Sequence, residues 1–315
     1  MQTLNDVHRQ FAGYFNSDIL KPYIYLLSKH ISEGHICVEL DEIDHDELAE
    51  AGFEKQAPKE KLAKDNLISD GTAYKPFVLF NDRLYLQRYF NYESVILEKI
   101  KDLCKKEDPD NEKSLSAHGK IIDELFATSG SDAEGSKTNW PLAAAVSAVL
   151  NNLTIITGGP GTGKTTTVAK ILAILYSINP DLKIALGAPT GKAASRMAES
   201  IKNISLPVDE EITKQLAKTV PTTLHRLLKS IRGGTQFRHN KENPLKYDVV
   251  VIDECSMIDV AMFAKLLDAI GENTKMILLG DKNQLASRSF ANIATSIIEH
   301  SSITTTSYLS GFSLL

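Results

Sequence analysis

The run Gly158-Gly159-Pro160-Gly161-Thr162-Gly163-Lys164-Thr165 constrains this chain more than any other feature. It fits the pattern GxxxxGK[ST] and stands between a β-prone run, residues 153–157, and a stretch with helical spacing, residues 164–178. That setting is the one the motif requires. Glycines let the backbone wrap so that its N–H groups point inward at phosphate oxygens. The helix that follows presents its positive end to the same anion. Lys164 is then placed to reach the β- and γ-phosphates, and the Thr165 hydroxyl to bind Mg²⁺. A glycine-rich turn that merely carries a lysine is the competing interpretation, and the flanking strand and helix disfavour it. Residues Gly158 to Thr166 are read as a nucleotide-binding loop.

Strand and helix signals alternate downstream. Residues 183–187 are strand-like and 192–201 helical; 247–252 (YDVVVI) is apolar enough for burial on both faces. Residues 257–270 are helical and 275–279 (KMILL) form another buried strand. This alternation predicts right-handed βαβ units and a parallel sheet covered on both sides. Chemistry-bearing residues fall at the carboxyl ends of these strands. Asp253 suits the hydration shell of Mg²⁺, and Glu254 can polarise the attacking water as a general base. Two acids after a strand often just cap a helix, but behind a phosphate loop in the same sheet they favour hydrolysis. Gly280-Asp281-Lys282-Asn283-Gln284 ends the next strand and makes Gln284 a sensor of the γ-phosphate. Ala188-Pro189-Thr190-Gly191-Lys192 opens a helix whose amides, with Thr190 and Lys192, suit a phosphate of a nucleic-acid backbone. Thr222-Thr223-Leu224-His225-Arg226 adds Thr223 and His225 as nucleic-acid contacts, although a packed helix residue explains His225 equally well.

Charge divides the chain in two. From Thr138 onward there are 18 basic and 14 acidic residues, a net of +4, whereas residues 1–137 hold 17 against 26, a net of −9. Opposite balances suggest two units with different partners, the basic one suited to nucleic acid. Residues 214–246 carry eight Lys and Arg against the single acid Glu242, with a Gly233-Gly234 turn, and read as an inserted lobe facing nucleic acid. Charged or polar stretches at 105–113 and 128–138 read as linker or exposed turn, with a short helix between them. The expected organisation is residues 1–110 as one domain, 111–137 as a linker region with that helix, and 138–315 as the nucleotide-binding domain, interrupted by a basic insertion at about 203–246. Upstream, residues 19–30 read as a helix, and 36–40 and 77–80 as short strands. Nothing approaches the roughly 18 apolar residues of a membrane span. The N-terminus lacks the basic and apolar segments of a secretory signal, and three widely spaced cysteines fit a reducing cytoplasm.

The segments TGGPGTGKTTTVAK, APTGKAA, TTLHRLL, VVIDECSMID and LGDKNQLAS, in this order, resemble superfamily 1 DNA helicases. Their wording, with Glu33-Gly34-His35-Ile36-Cys37 and Asn81-Asp82-Arg83-Leu84-Tyr85-Leu86 upstream, is similar to the RecD family, the alpha subunits of exodeoxyribonuclease V (RecBCD). The resemblance extends to about Ser287. It implies a RecA-like P-loop NTPase domain preceded by a smaller, mainly helical domain that docks on RecB-like and RecC-like subunits. It also implies ATP and Mg²⁺ as cofactors, and a motor moving 5′ to 3′ on single-stranded DNA in double-strand-break repair and recombination. By position, Lys164, Thr165, Asp253, Glu254 and Gln284 serve the nucleotide, and Thr190, Lys192, Thr223 and His225 the DNA. Pro141 stands where the family carries the glutamine that reads adenine. The family continues into a second RecA-like domain, so the chain reads as a truncated or fragmentary subunit. A P-loop GTPase is disfavoured, because Asn-Lys-x-Asp is absent after Asp253. A nucleotide-binding but catalytically silent partner module is the other expectation.

Overall fold

The computed structural model describes residues 6–53, 57–105, 109–127, 139–159, 161–281 and 312–314. These form two compact units that divide between Val95 and Ile96.

The first unit begins with α1 (Val7–Gly13) and α2 (Lys21–Ser32). Asp6 caps α1 by accepting from the N–H groups of His8 and Arg9. There follow β1 (Cys37–Glu39), α3 (His45–Glu50), α4 (Lys59–Leu62), β2 (Ile68–Ser69), β3 (Phe77–Phe80) and β4 (Arg83–Leu86). The strands make a small sheet in the order β1-β4-β3-β2, and α2 buries Ile24, Leu26 and Leu27 in the same core as Val38, Phe77 and Leu84. Asn81 and Asp82 both take positive φ, 47° and 59°, which turns β3 tightly back into β4. Two-residue hairpins need that conformation, and Asn and Asp tolerate it.

Helix α5 (Gln87–Lys105) runs across the division, and α6 (Pro109–Ala117), α7 (Gly119–Phe126) and α8 (Trp140–Leu150) belong to the second unit. The charged stretch read as a linker is thus helical on both sides. Proline is pre-set for the first helical position, where Pro109 stands. Ile122, Leu125 and Phe126 of α7 are buried in the core of the second unit. Their helical spacing turns one apolar face inward, so the short helix expected between the two polar stretches packs into this core.

The rest of the second unit alternates as expected: β5 (Leu153–Gly158), α9 (Lys164–Ile178), β6 (Ile184–Ala188), α10 (Gly191–Asn203), α11 (Glu210–Lys218), β7 (Thr222–Thr223), α12 (Leu224–Leu227), β8 (Val249–Ile252), α13 (Val260–Asp268), β9 (Lys275–Gly280) and β10 (Phe312–Leu314). The sheet order is β10-β5-β9-β8-β6-β7; every pairing is parallel except β10 on β5. This is the mixed α/β, parallel-sheet architecture that the sequence indicates. All four residues of β8 are buried, and α9 buries nine, because both lie inside layers covered on each side. Residues 257–259 are not in the helix expected from 257 onward. A 3-10 turn at Cys255–Met257 precedes α13, which Asp259 caps through the Met262 N–H. Part of the segment 203–246 packs on the domain. Ile212 and Leu216 of α11 join the core, and the Tyr176 hydroxyl lies 2.8 Å from that of Thr219. Beyond α12 the segment is mostly exposed and is tied to α13 and its C-cap: Lys265 donates to the Thr235 carbonyl at 2.7 Å, and the Leu245 N–H to the Ala269 carbonyl at 2.8 Å.

Candidate nucleotide and nucleic-acid sites

Register decides which residues meet. Thr157 of β5 lies beside Gly280 of β9, and Leu278 beside Ile252 of β8, so three strands deliver their carboxyl ends side by side. The loop after β5, the Asp253-Glu254 pair after β8 and Asp281 after β9 line one cavity of about 680 Å³. Gly161, Thr162, Gly163, Lys164, Thr165 and Thr166 form the loop side of it.

The loop's conformation explains its glycines. Gly161 and Gly163 have φ of 76° and 80°, the left-handed region that favours glycine. Gly163 occupies the N-cap of α9 and has no side chain with which to close the helix end. The first N–H groups of α9 are consequently left for an anion, at the positive end of a 15-residue helix. Thr162 donates its hydroxyl hydrogen to the Gly159 carbonyl at 2.9 Å, and the Lys164 ammonium donates to the carbonyls of Gly158 and Gly159. Lys164 is thereby folded back over the loop.

Asp253 is half-buried, and its own N–H donates to the Gly187 carbonyl at 2.9 Å. Burial raises its carboxyl above the usual range, against the Glu254 N–H and the Lys164 charge, which pull it down. A carboxyl raised in the folded state releases its proton later than in the unfolded chain. Its stabilising contribution is therefore present below the unfolded pKa and lost as pH rises through the folded one. Asp253→Asn is expected to melt higher than wild type at pH 7 without nucleotide or divalent cation, with the gap closing as pH falls towards 4. Melting curves across that range check it; a gap independent of pH would sink the assignment. Beneath Glu254, burial pushes the Cys255 thiol up to about 12, so it stays a neutral packing group.

Thr190 caps α10, accepting from the Ala193 N–H at 3.1 Å, and Thr223 caps α12, accepting from the Arg226 N–H at 3.4 Å. Both follow from the sheet: Ala188, two residues before Thr190, is the partner of Thr223. Thr190 and Lys192 are exposed at that edge. His225 is exposed too, and its ring tilts against Phe237 with centroids 5.7 Å apart. Phe237 sits in a small turn-back around Gly233, where Ser230 bridges Phe237. All eight basic residues between Lys214 and Lys246 are exposed, so the run keeps a solvated cationic face. Pro160 and Gln284 lie outside the described residues. Asp281, Ser256 and Arg196 line the cavity without having been singled out from the sequence. For Arg196 a signal exists: it stands three residues after the buried Ala193, on the helix opened by Thr190.

Residues 2–85 match the family described as RecBCD enzyme subunit RecD, N-terminal domain, and residues 142–289 match the AAA domain family. A RecBCD enzyme subunit RecD of Mycolicibacterium smegmatis is 38% identical over 229 residues, which is 70% of this chain and 38% of that protein. That of Haemophilus influenzae is 41% identical over 210 residues, 65% of this chain and 32% of its own length. This chain belongs to the RecD family. It spans between about a third and two-fifths of those relatives. An ATP-dependent RecD2 DNA helicase of Deinococcus radiodurans is 35% identical over 186 residues, 55% of this chain and 23% of that protein. The RecD N-terminal match lies in the first unit, and the cavity lies within the part of the second unit that matches the AAA family.

Proposed function

We propose that this RecD-family chain carries the ATP-hydrolysing site of a DNA helicase subunit, which works 5′ to 3′ on single-stranded DNA in the cytoplasm. In this reading it serves double-strand-break repair and recombination beside RecB-like and RecC-like subunits, with residues 1–110 as the docking part. The observation that carries the nucleotide site is the convergence of the phosphate loop, Asp253 and Glu254 on one cavity. Among the described residues no helix is long and apolar enough to cross a membrane.

Lys164 leaves the loop carbonyls to hold the β- and γ-phosphates, and the α9 amides hold the remaining oxygens. Thr165 and Asp253, two oxygen donors on the same cavity, fit Mg²⁺, a hard cation that takes one or two carboxylates and completes its shell with phosphates and water. When bound, it would neutralise charge on the phosphates. Glu254 takes the proton of the attacking water, and Gln284 senses the γ-phosphate. Thr190, Lys192, Thr223 and His225 grip the DNA backbone at the neighbouring strand ends. The exposed basic run from Lys214 to Lys246 steers DNA towards them.

Steady-state ATP hydrolysis with and without single-stranded DNA tests this reading. Lys164→Ala is expected to lower turnover about 10²- to 10³-fold, the usual effect of removing one preorganised charge-stabilising donor. DNA should stimulate the wild-type chain and not the variant. Equal rates in the two proteins, with nucleotide bound, would leave a nucleotide-binding partner module as the function.

A further inference from the structure

Arg196 has no part in the reading above. It lies in the second turn of α10, the helix that forms the wall of the cavity facing the phosphate loop. Ala193, Arg196, Met197 and Ser200 all line that cavity, and their spacing puts them on one helical stripe. Ala193 and Met197 are buried, at 3% and 1% exposure, so the stripe is anchored on both sides of Arg196. The Arg196 side chain itself is exposed and has no hydrogen bond or ion pair among the described residues. An arginine without a partner is most often a solvated surface group. This one is held on a helix, within a cavity that also contains Lys164, Thr165, Asp253 and Glu254. A nucleoside triphosphate brings more negative charge than one lysine and one divalent cation neutralise. A planar guanidinium matches phosphate oxygens as a two-pronged donor.

We propose that Arg196, supplied from α10 within the same domain as the phosphate loop, engages the terminal phosphate of the bound nucleotide and makes the site prefer a triphosphate over a diphosphate. The proposal rests on the nucleotide site described above. Because Thr190 and Lys192 open the same helix, α10 then joins the DNA-facing edge to the terminal phosphate.

The test titrates the full chain, with Mg²⁺, against a fluorescent non-hydrolysable ATP analogue and against the matching ADP. Arg196→Ala is expected to weaken triphosphate binding roughly 10- to 100-fold, the range for a lost hydrogen bond to a charged group. Binding of the diphosphate should change less than about twofold, and Arg196→Lys should recover part of the loss, since lysine keeps the charge and loses the fork. Melting curves of both variants should match wild type, because the side chain is exposed. Equal weakening of both nucleotides, or of neither, overturns the role of Arg196 while leaving the nucleotide site intact. Failure of the wild-type chain to bind either nucleotide overturns the site itself, and the proposal with it.

Discussion

Glu254→Gly is expected to lower ATP turnover by orders of magnitude and, in the same protein, to raise the melting temperature. Glu254 stands at φ 52° and ψ 40°, a left-handed conformation that costs a non-glycine residue about 1–2 kcal/mol. Its surroundings enforce that geometry. Its N–H donates to the Asp253 carboxylate at 2.8 Å, its carbonyl accepts the Met257 N–H at 3.0 Å, and Cys255 beyond it is buried. Sparsely populated backbone conformations persist where a side chain must be aimed, and Glu254 lines the cavity. Glycine removes both the strain and the proposed base. Turnover should fall about 10²- to 10⁴-fold, the contribution of a positioned general base. The melting temperature should rise by about 2–4 °C for each kcal/mol relieved. Glu254→Gln separates the two effects: it removes the base and keeps the β-carbon, so turnover should fall as far with no gain in stability. A gain of the same size in both variants would trace the stabilisation to the lost charge and not to the backbone.

What was legible in the sequence follows a physical division. The residues of β5, α9, β8 and β9 could be read locally, because strands buried on both faces are continuous apolar runs and the phosphate loop has to join strand to helix. The carboxyl-end positions of Asp253 and Glu254 came with them. What was not legible depends on partners distant in the chain. The spacing of Ile121, Ile122, Leu125 and Phe126 betrays the helix that became α7. Nothing local says that its apolar face meets the core of the second unit, so a polar neighbourhood reads as a linker. The same holds for α11, whose basic residues face solvent while Ile212 and Leu216 face inward. β4 is the short apolar run Leu84-Tyr85-Leu86 behind Arg83, and the Asn81-Asp82 turn before it signals a hairpin, yet at four residues its pairing becomes visible only beside β3. Arg196 belongs to this second group: the cavity assembles around it from three strands and two helices.

The second large effect expected lies behind the site, at Gly187 of β6. A β-carbon there would stand 2.8 Å from Ile252 Cδ1, 3.3 Å from Leu224 Cδ2 and 3.5 Å from Leu227 Cδ2. The first distance is too short for any real contact, so something must move. Ile252 is the register partner of Gly187 and immediately precedes Asp253, whose N–H the Gly187 carbonyl holds at 2.9 Å. Gly187→Ala should therefore cost about 1–3 kcal/mol of stability, as overpacking of a dense core does. It should also weaken Mg²⁺-dependent nucleotide binding, because the displaced Ile252 carries Asp253 with it. Ile252→Val supplies the check, since it deletes the Cδ1 atom that collides. Alone it should cost about 0.5–1.5 kcal/mol. Combined with Gly187→Ala it should be less destabilising than the sum of the two, a coupling of the kind contacting residues show. Chemical denaturation of the four proteins measures that coupling. Simple additivity would mean that the alanine methyl is accommodated by Leu224 and α12 instead. The strain would then run towards Thr223 and His225, and DNA affinity, not nucleotide affinity, should be the property that falls.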